Sequence, residues 1–207
     1  MAGGKQSPRQ KMVNLMYLVF ICMLALNMSK EVLAAFGLMN EKMETSNAKT
    51  TASNDLFLES LGTKASEDAA KYDKLHKDAE QIKQMSSEYY TYLQALKDGM
   101  MEGVEDPTDY TVMDKSDYLD GKFFQGDNLT PEGEEFVNRI SKYRDGVVKI
   151  YPGVKDAAQS RFQTGDENGK EEKRDGTKQD WINYHYEGYP LVASLTKLTA
   201  LQADIKA

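Results

Sequence analysis

The chain has 207 residues, is 40% apolar and 29% charged, and carries a formal net charge of −7 with a single cysteine. This is the composition of a folded chain of one or two small domains, not of a disordered one. Its acidity argues against nucleic-acid binding, which needs a basic face to neutralise phosphates. One cysteine excludes an intrachain disulfide framework and any multi-cysteine metal site.

The charge is uneven: Lys5, Arg9 and Lys11, with no acid among them, give residues 1–11 a charge of +3 and leave −10 on the rest. An apolar run follows at once, MVNLMYLVFICMLALNM, residues 12–28, which holds no charged residue, histidine, glycine or proline. As a helix this run is roughly 26 Å long, close to a hydrocarbon core of about 30 Å. Val32, Leu33 and the stem of Lys30 extend it, and the expectation is a transmembrane helix over 12–33 with 1–11 cytoplasmic, by the positive-inside rule. A secretory signal is the competing reading, but no small-residue cleavage pair directly follows the run. The run contains Asn14, Tyr17 and Asn27, polar groups that a bland anchor lacks. Asn14 and Asn27 either bond to partner helices or mark the two interfaces. The span has no titratable group that works near neutral pH, so it cannot relay protons alone. Neither glycine nor proline occurs between Arg9 and Phe36, which predicts an unbroken rod.

Beyond the run, Val32, Phe36, Met39 and Met43 keep a helical spacing before the polar stretch TSNAKTTASND. Apolar periodicity resumes at Tyr72, Leu75, Ala79, Ile82, Ser86, Tyr89, Leu93, Leu96 and Met100, the stripe of a helix facing a bundle core. Residues 103–130 read as an ordered loop that Tyr110, Tyr118, Phe123 and Phe124 peg to the bundle. Thr130 with Pro131 and Glu132 marks the start of the next helix. The charge-balanced run TGDENGKEEKRDGTK is a solvated turn or loop. A last helix carries Leu191, Leu195, Leu198, Gln202 and Ile205 on one stripe and stops in mid-pattern at Ala207, as if the natural protein continued. The fold expected is all-α: a single N-terminal transmembrane helix continuing into a helical bundle over 34–207.

No catalytic constellation emerges. His76 falls beside the core stripe, His185 among aromatics, and Cys22 within the apolar run; no phosphate-cradling glycine loop or zinc-ligand spacing occurs. The sequence points to no enzyme, cofactor or metal.

Residues 1–37, MAGGKQSPRQKMVNLMYLVFICMLALNMSKEVLAAFG, closely resemble the start of the GldM/PorM family of type 9 secretion and gliding-motility proteins. Residues 189–205, YPLVASLTKLTALQADI, resemble the end of that family's first periplasmic domain. The resemblance implies an inner-membrane motor subunit with its bulk in the periplasm, β-rich domains following the helical one, and a homodimer. It also implies that the paired transmembrane helices stand in a five-membered GldL/PorL-type ring that supplies a membrane glutamate, with proton-motive force converted into movement of distal periplasmic and outer-membrane components. By motif, Arg9 matches the family arginine facing that glutamate, and Tyr17 is the next residue of interest on a proton or hydrogen-bond path. The alternative from another functional class is a membrane-anchored periplasmic sensor or receptor.

Overall fold

The computed structural model of the chain describes residues 7–26, 30–126 and 128–207. The first helix, α1, spans Pro8–Leu26, with Pro8 in its first turn, where a missing N–H costs nothing. Two long helices follow, α2 over Lys30–Glu67 and α3 over Ala69–Met101. The corner between them is set by Asp68, whose carboxylate accepts from the Lys71 N–H at 3.3 Å. After the loop at 102–116 come α4, Asp117–Phe123, and a minimal hairpin of β1, Phe124–Gln125, and β2, Asn128–Leu129. Helix α5 spans Pro131–Ile150 and starts where the sequence places it: Thr130 Oγ1 accepts from the Gly133 N–H at 3.1 Å and Pro131 sits at the first helical position. The short α6, Lys155–Arg161, leads to an antiparallel hairpin, β3 Lys170–Glu172 and β4 Lys178–Asp180; α7, Trp181–Tyr186, and α8, Leu191–Lys206, complete the chain.

The apolar core lies between α3, α4, α5, α7 and α8. Leu93, Phe123, Phe136, Ile140 and Leu198 have no exposed surface. Phe123 stacks on Phe136 at 4.9 Å, and Tyr186 meets the Phe136 ring edge-on at 5.1 Å. Each fully buried aromatic contributes about 1.5–3 kcal/mol through lost apolar surface. The stripes expected on α3 and α8 point into this core from Tyr89 and Leu195 onward. The polar exception on α3, Ser86, sits 2.8 Å from the Tyr143 hydroxyl, which explains its place in an apolar stripe. The first half of α3 pairs with the distal half of α2, where Lys83 meets Asp55 at 2.8 Å and His76 faces Gly62, and Leu75 there is exposed.

Helix α2 contributes nothing to that main core. A second, smaller cluster anchors its beginning: Leu33, Met113 and Val192, with Phe36 and Tyr110 against them. The loop is pegged as its aromatics suggest. The Tyr110 ring lies flat on Gly37, so close that a Cβ there would overlap it, and the Tyr110 hydroxyl donates to Glu41 at 2.9 Å. A Cβ on Gly99 would overlap Tyr118 in the same way.

No helix among the described residues is long and apolar enough to cross a membrane. Of the span expected over 12–33, α1 covers the described residues up to Leu26 and α2 those from Lys30, and Asn27 lies outside the described residues. Three expectations are corrected. First, Leu33, expected at the end of the span, is 1% exposed within the second cluster. Second, the stripe read from Val32 and Met39 is misplaced, because both side chains are exposed while Leu33, Gly37, Asn40 and Asn47 are buried. The polar stretch TSNAKTTASND lies within α2, which runs through it to Glu67. Third, the charged run 164–178 is not a plain loop. Asp166 accepts from the N–H groups of Asn168 and Lys170 and from Lys178, and it turns the chain into β3 and β4. The Lys178 ammonium and those N–H groups hold the Asp166 carboxyl down at about 2. The all-α class stands in the main, with two small hairpins added.

Candidate functional site: a polar seam along α2

One face of α2 keeps a regular alternation of four and three: Leu33, Gly37, Asn40, Glu44, Asn47, Thr51, Asn54, Leu58, Leu61 and Ala65. Its ends are apolar and its middle is polar. A helix face of this kind can be buried only if the facing elements supply a partner for each polar group.

They do. Thr196 Oγ1 donates to the Phe36 carbonyl at 3.1 Å, and Thr199 Oγ1 donates to Asn40 Oδ1 at 2.6 Å. The Lys97 ammonium donates to Glu44 Oε1 at 2.8 Å and to Gln202 Oε1 at 3.1 Å. Gln202 in turn donates through Nε2 to Gln94 Oε1 at 3.1 Å, which joins α3 and α8 behind α2. Asn47 Nδ2 donates to the Thr199 carbonyl at 3.2 Å, and Asn54 Nδ2 to the Lys206 carbonyl at 2.7 Å. Asn40, Asn47, Lys97, Thr196, Thr199 and Gln202 are all buried, while Glu44 keeps half of its side chain in water.

Such a seam performs no bond chemistry. Apolar faces slide past one another at little cost, whereas a shift of α2 by one turn against α8 would strand several buried donors and acceptors at once. Each stranded group costs about 1–3 kcal/mol. The seam therefore fixes the register of α2 on the body, as a buried polar residue does in a coiled coil.

Of the residues singled out on the apolar run, Arg9, Asn14 and Tyr17 are exposed on α1. Gln10 Nε2 donates to Asn14 Oδ1 at 3.3 Å, and Tyr17 is 62% exposed. No contact joins Arg9 to Tyr17 among the described residues. Around them Met12, Leu15, Met16, Leu18, Val19, Phe20, Ile21 and Met23 also face outward, so α1 presents apolar side chains on every side. His185 packs on Trp181 with ring centres 5.0 Å apart, as its neighbours suggest, and its Nε2 lies 2.7 Å from Glu171. His76 stands at the rim, 3.7 Å from Glu80.

The family model described as the GldM N-terminal domain matches residues 31–207. The chain belongs to the GldM family. Membership makes it a component of the gliding-motility and type 9 secretion machinery. The matched GldM domain begins one residue into α2 and includes the whole seam, whereas Arg9, Asn14 and Tyr17 precede it. No curated protein matches the chain.

The seam escaped the sequence reading because apolar periodicity is the usual sign of a buried helix face. Its signal was nevertheless present: the polar residues at 40, 44, 47, 51 and 54 keep the same helical spacing as the leucines that follow.

Proposed function

We propose that this GldM-family chain is the moving subunit of a proton-driven motor. In this reading α1 stands in the inner membrane, paired with that of a second copy inside a five-membered GldL/PorL-type ring. The N-terminus is cytoplasmic and the helical domain periplasmic. Arg9 pairs with a ring glutamate. Protonation of that acid leaves the arginine without its counter-charge, so the preferred position of α1 changes. A buried ion pair adds little net stability but makes an effective switch. Asn14, Tyr17 and Asn27 supply hydrogen bonds to neighbouring helices, where no water competes. The displacement then passes to the helical domain and on to distal periplasmic and outer-membrane components.

The observation that carries this reading is the register-locked attachment of α2, the helix that follows α1. A lever must not slip on the body that it moves, and the hydrogen bonds from Asn40 to Asn54 resist slipping. The apolar surface that α1 exposes on all sides supports an environment of lipid and partner helices around it. Replacing Arg9 tests the reading. Arg9→Ala is expected to insert in the membrane at normal abundance while secretion and gliding are lost. A strain carrying Arg9→Ala that secretes and glides at the parental rate would remove Arg9 from the mechanism.

A further inference from the structure

The four-and-three spacing of Val32, Phe36, Met39 and Met43, which misses the bundle core, is one end of a longer stripe on α2. It continues without a break through Ser46, Thr50, Ser53 and Phe57 to Ser60. None of its positions is charged, although Glu41, Lys42, Lys49, Glu59 and Lys64 stand at other exposed positions of the same helix. Val32, Met39 and Phe57 are 43%, 55% and 78% exposed, and Ser46, Ser53 and Ser60 are exposed as well. A solvent-facing helix surface is normally charged or strongly polar. A face of methionine, phenylalanine and small hydroxyls is built to meet something other than water. Thr50 Oγ1 donates to the Ser46 carbonyl at 3.0 Å, so its hydroxyl is satisfied within the helix.

The period of the stripe identifies its occupant. From Val32 to Ser60 the repeat is about 3.5 residues, kept for about four heptads and about 42 Å of helix. Such a stripe stays in contact only with another long helix that supercoils with it. Its edges choose the orientation. Lys42 and Lys49 line one edge, and Asn47 and Asn54 line the other, on the side of the buried seam. When two copies of α2 lie parallel, the lysine edge of each meets the asparagine edge of the other. Antiparallel copies set lysine against lysine. Phe57 borders an open groove of about 540 Å³, lined also by Leu58, Leu61, Ile82 and Ile205, which leaves room for the phenylalanine of the second copy.

We propose that α2 pairs with α2 of a second copy along this stripe, parallel and in register. This rests on the pairing of two copies proposed for α1, and it adds the surface and the direction of their contact beyond that helix. Each α2 is then held on two sides. The polar seam fixes it to its own body and the stripe fixes it to the twin helix, so the two bodies move as one.

The test is disulfide cross-linking of the full chain in detergent micelles, in a Cys22→Ser background, with copper phenanthroline as oxidant and light scattering to count copies. Ser46→Cys, Ser53→Cys and Ser60→Cys are each expected to link to the same position of the second copy, within the Cα separation of about 7 Å that a disulfide spans. Thr45→Cys and Ala52→Cys, also exposed but turned away by about 100°, are expected to link at least fivefold more slowly. Ser46→Arg combined with Ser53→Arg is expected to raise the dissociation constant of the dimer at least fivefold while melting with the parent. A dimer with no link at the three serine positions, or with equal rates at Thr45 and Ala52, would overturn the proposal and leave the pairing of copies standing. A link at only one of the three serines would do the same, because antiparallel helices bring identical residues together at a single level. Monomers at every concentration would overturn both the stripe contact and the pairing.

Discussion

Replacing Lys97 by methionine isolates the seam, because methionine keeps the apolar stem and removes only the ammonium. Lys97 is 4% exposed, and its ammonium donates to Glu44 and Gln202 at 2.8 and 3.1 Å. The loss at Glu44 is small: that carboxylate is half in water, and exposed pairs contribute about 0–1 kcal/mol. The loss at Gln202 is larger, since the residue has no exposed surface and its carbonyl would be left without a donor, at about 1–3 kcal/mol. A net cost near 2 kcal/mol corresponds to about 4–8 °C in Tm for a domain of this size. The double variant Lys97→Met with Gln202→Leu removes both polar ends and should return to within about 1 kcal/mol of the parent, since apolar replacement of buried charges is often neutral or better. What it should not restore is register. Thermal unfolding followed by circular dichroism measures the first effect. Spin-label distances between Ser53 and Ser160, both exposed, measure the second in a Cys22→Ser background. The double variant is expected to melt near the parent, to show a broadened distance distribution and to secrete poorly. A Lys97→Met protein that melts with the parent and keeps a narrow distribution would refute the seam as the device that fixes α2.

Gly37→Ala places a methyl group in the Tyr110 ring; overlap costs about 1–3 kcal/mol against roughly 1 kcal/mol gained in helix propensity, so the Tyr110 loop should lose hydrogen-exchange protection. Unchanged protection would show that the contact does not hold the loop. Phe136→Ala, at a site with no exposed surface, should destabilise the bundle by about 3–5 kcal/mol in urea unfolding, far more than any exposed position on α2. Burial pushes the Lys197 ammonium down to about 8 from 10.5, so the folded state sheds its proton before the unfolded chain does. The cost of burying that charge is therefore fully present below pH 8 and fades as the pH rises towards 10.5. Lys197→Met should melt higher than the parent at neutral pH, and the difference should shrink across that window; a constant difference would assign the effect to packing on Tyr189 instead. For Asp166 the folded carboxyl is depressed, so its contribution holds above 3.8 and is lost as the pH falls through about 2. Asp166→Asn should remove that acid-sensitive step from the exchange profile of the β3–β4 hairpin.

The sequence by itself determined the parts of this protein that depend on local chemistry and apolar periodicity. The cap at Thr130, the stripes of α3 from Tyr89 onward and of α8, the aromatic pegs Tyr110, Tyr118 and Phe123, and the packing of His185 follow from residue type and spacing alone. The uneven charge about α1 and the motif at residues 1–37 were equally open to inspection, since neither needs a partner to be recognised. Only the tertiary structure decided which face of α2 is buried. Asn40, Asn47 and Asn54 look like solvated residues until Thr199 and Lys206, about 150 positions later, meet them from α8. A hydrogen bond between distant polar side chains leaves no mark in apolar periodicity. The face that fixes α2 in register therefore becomes visible only when its partners are in place.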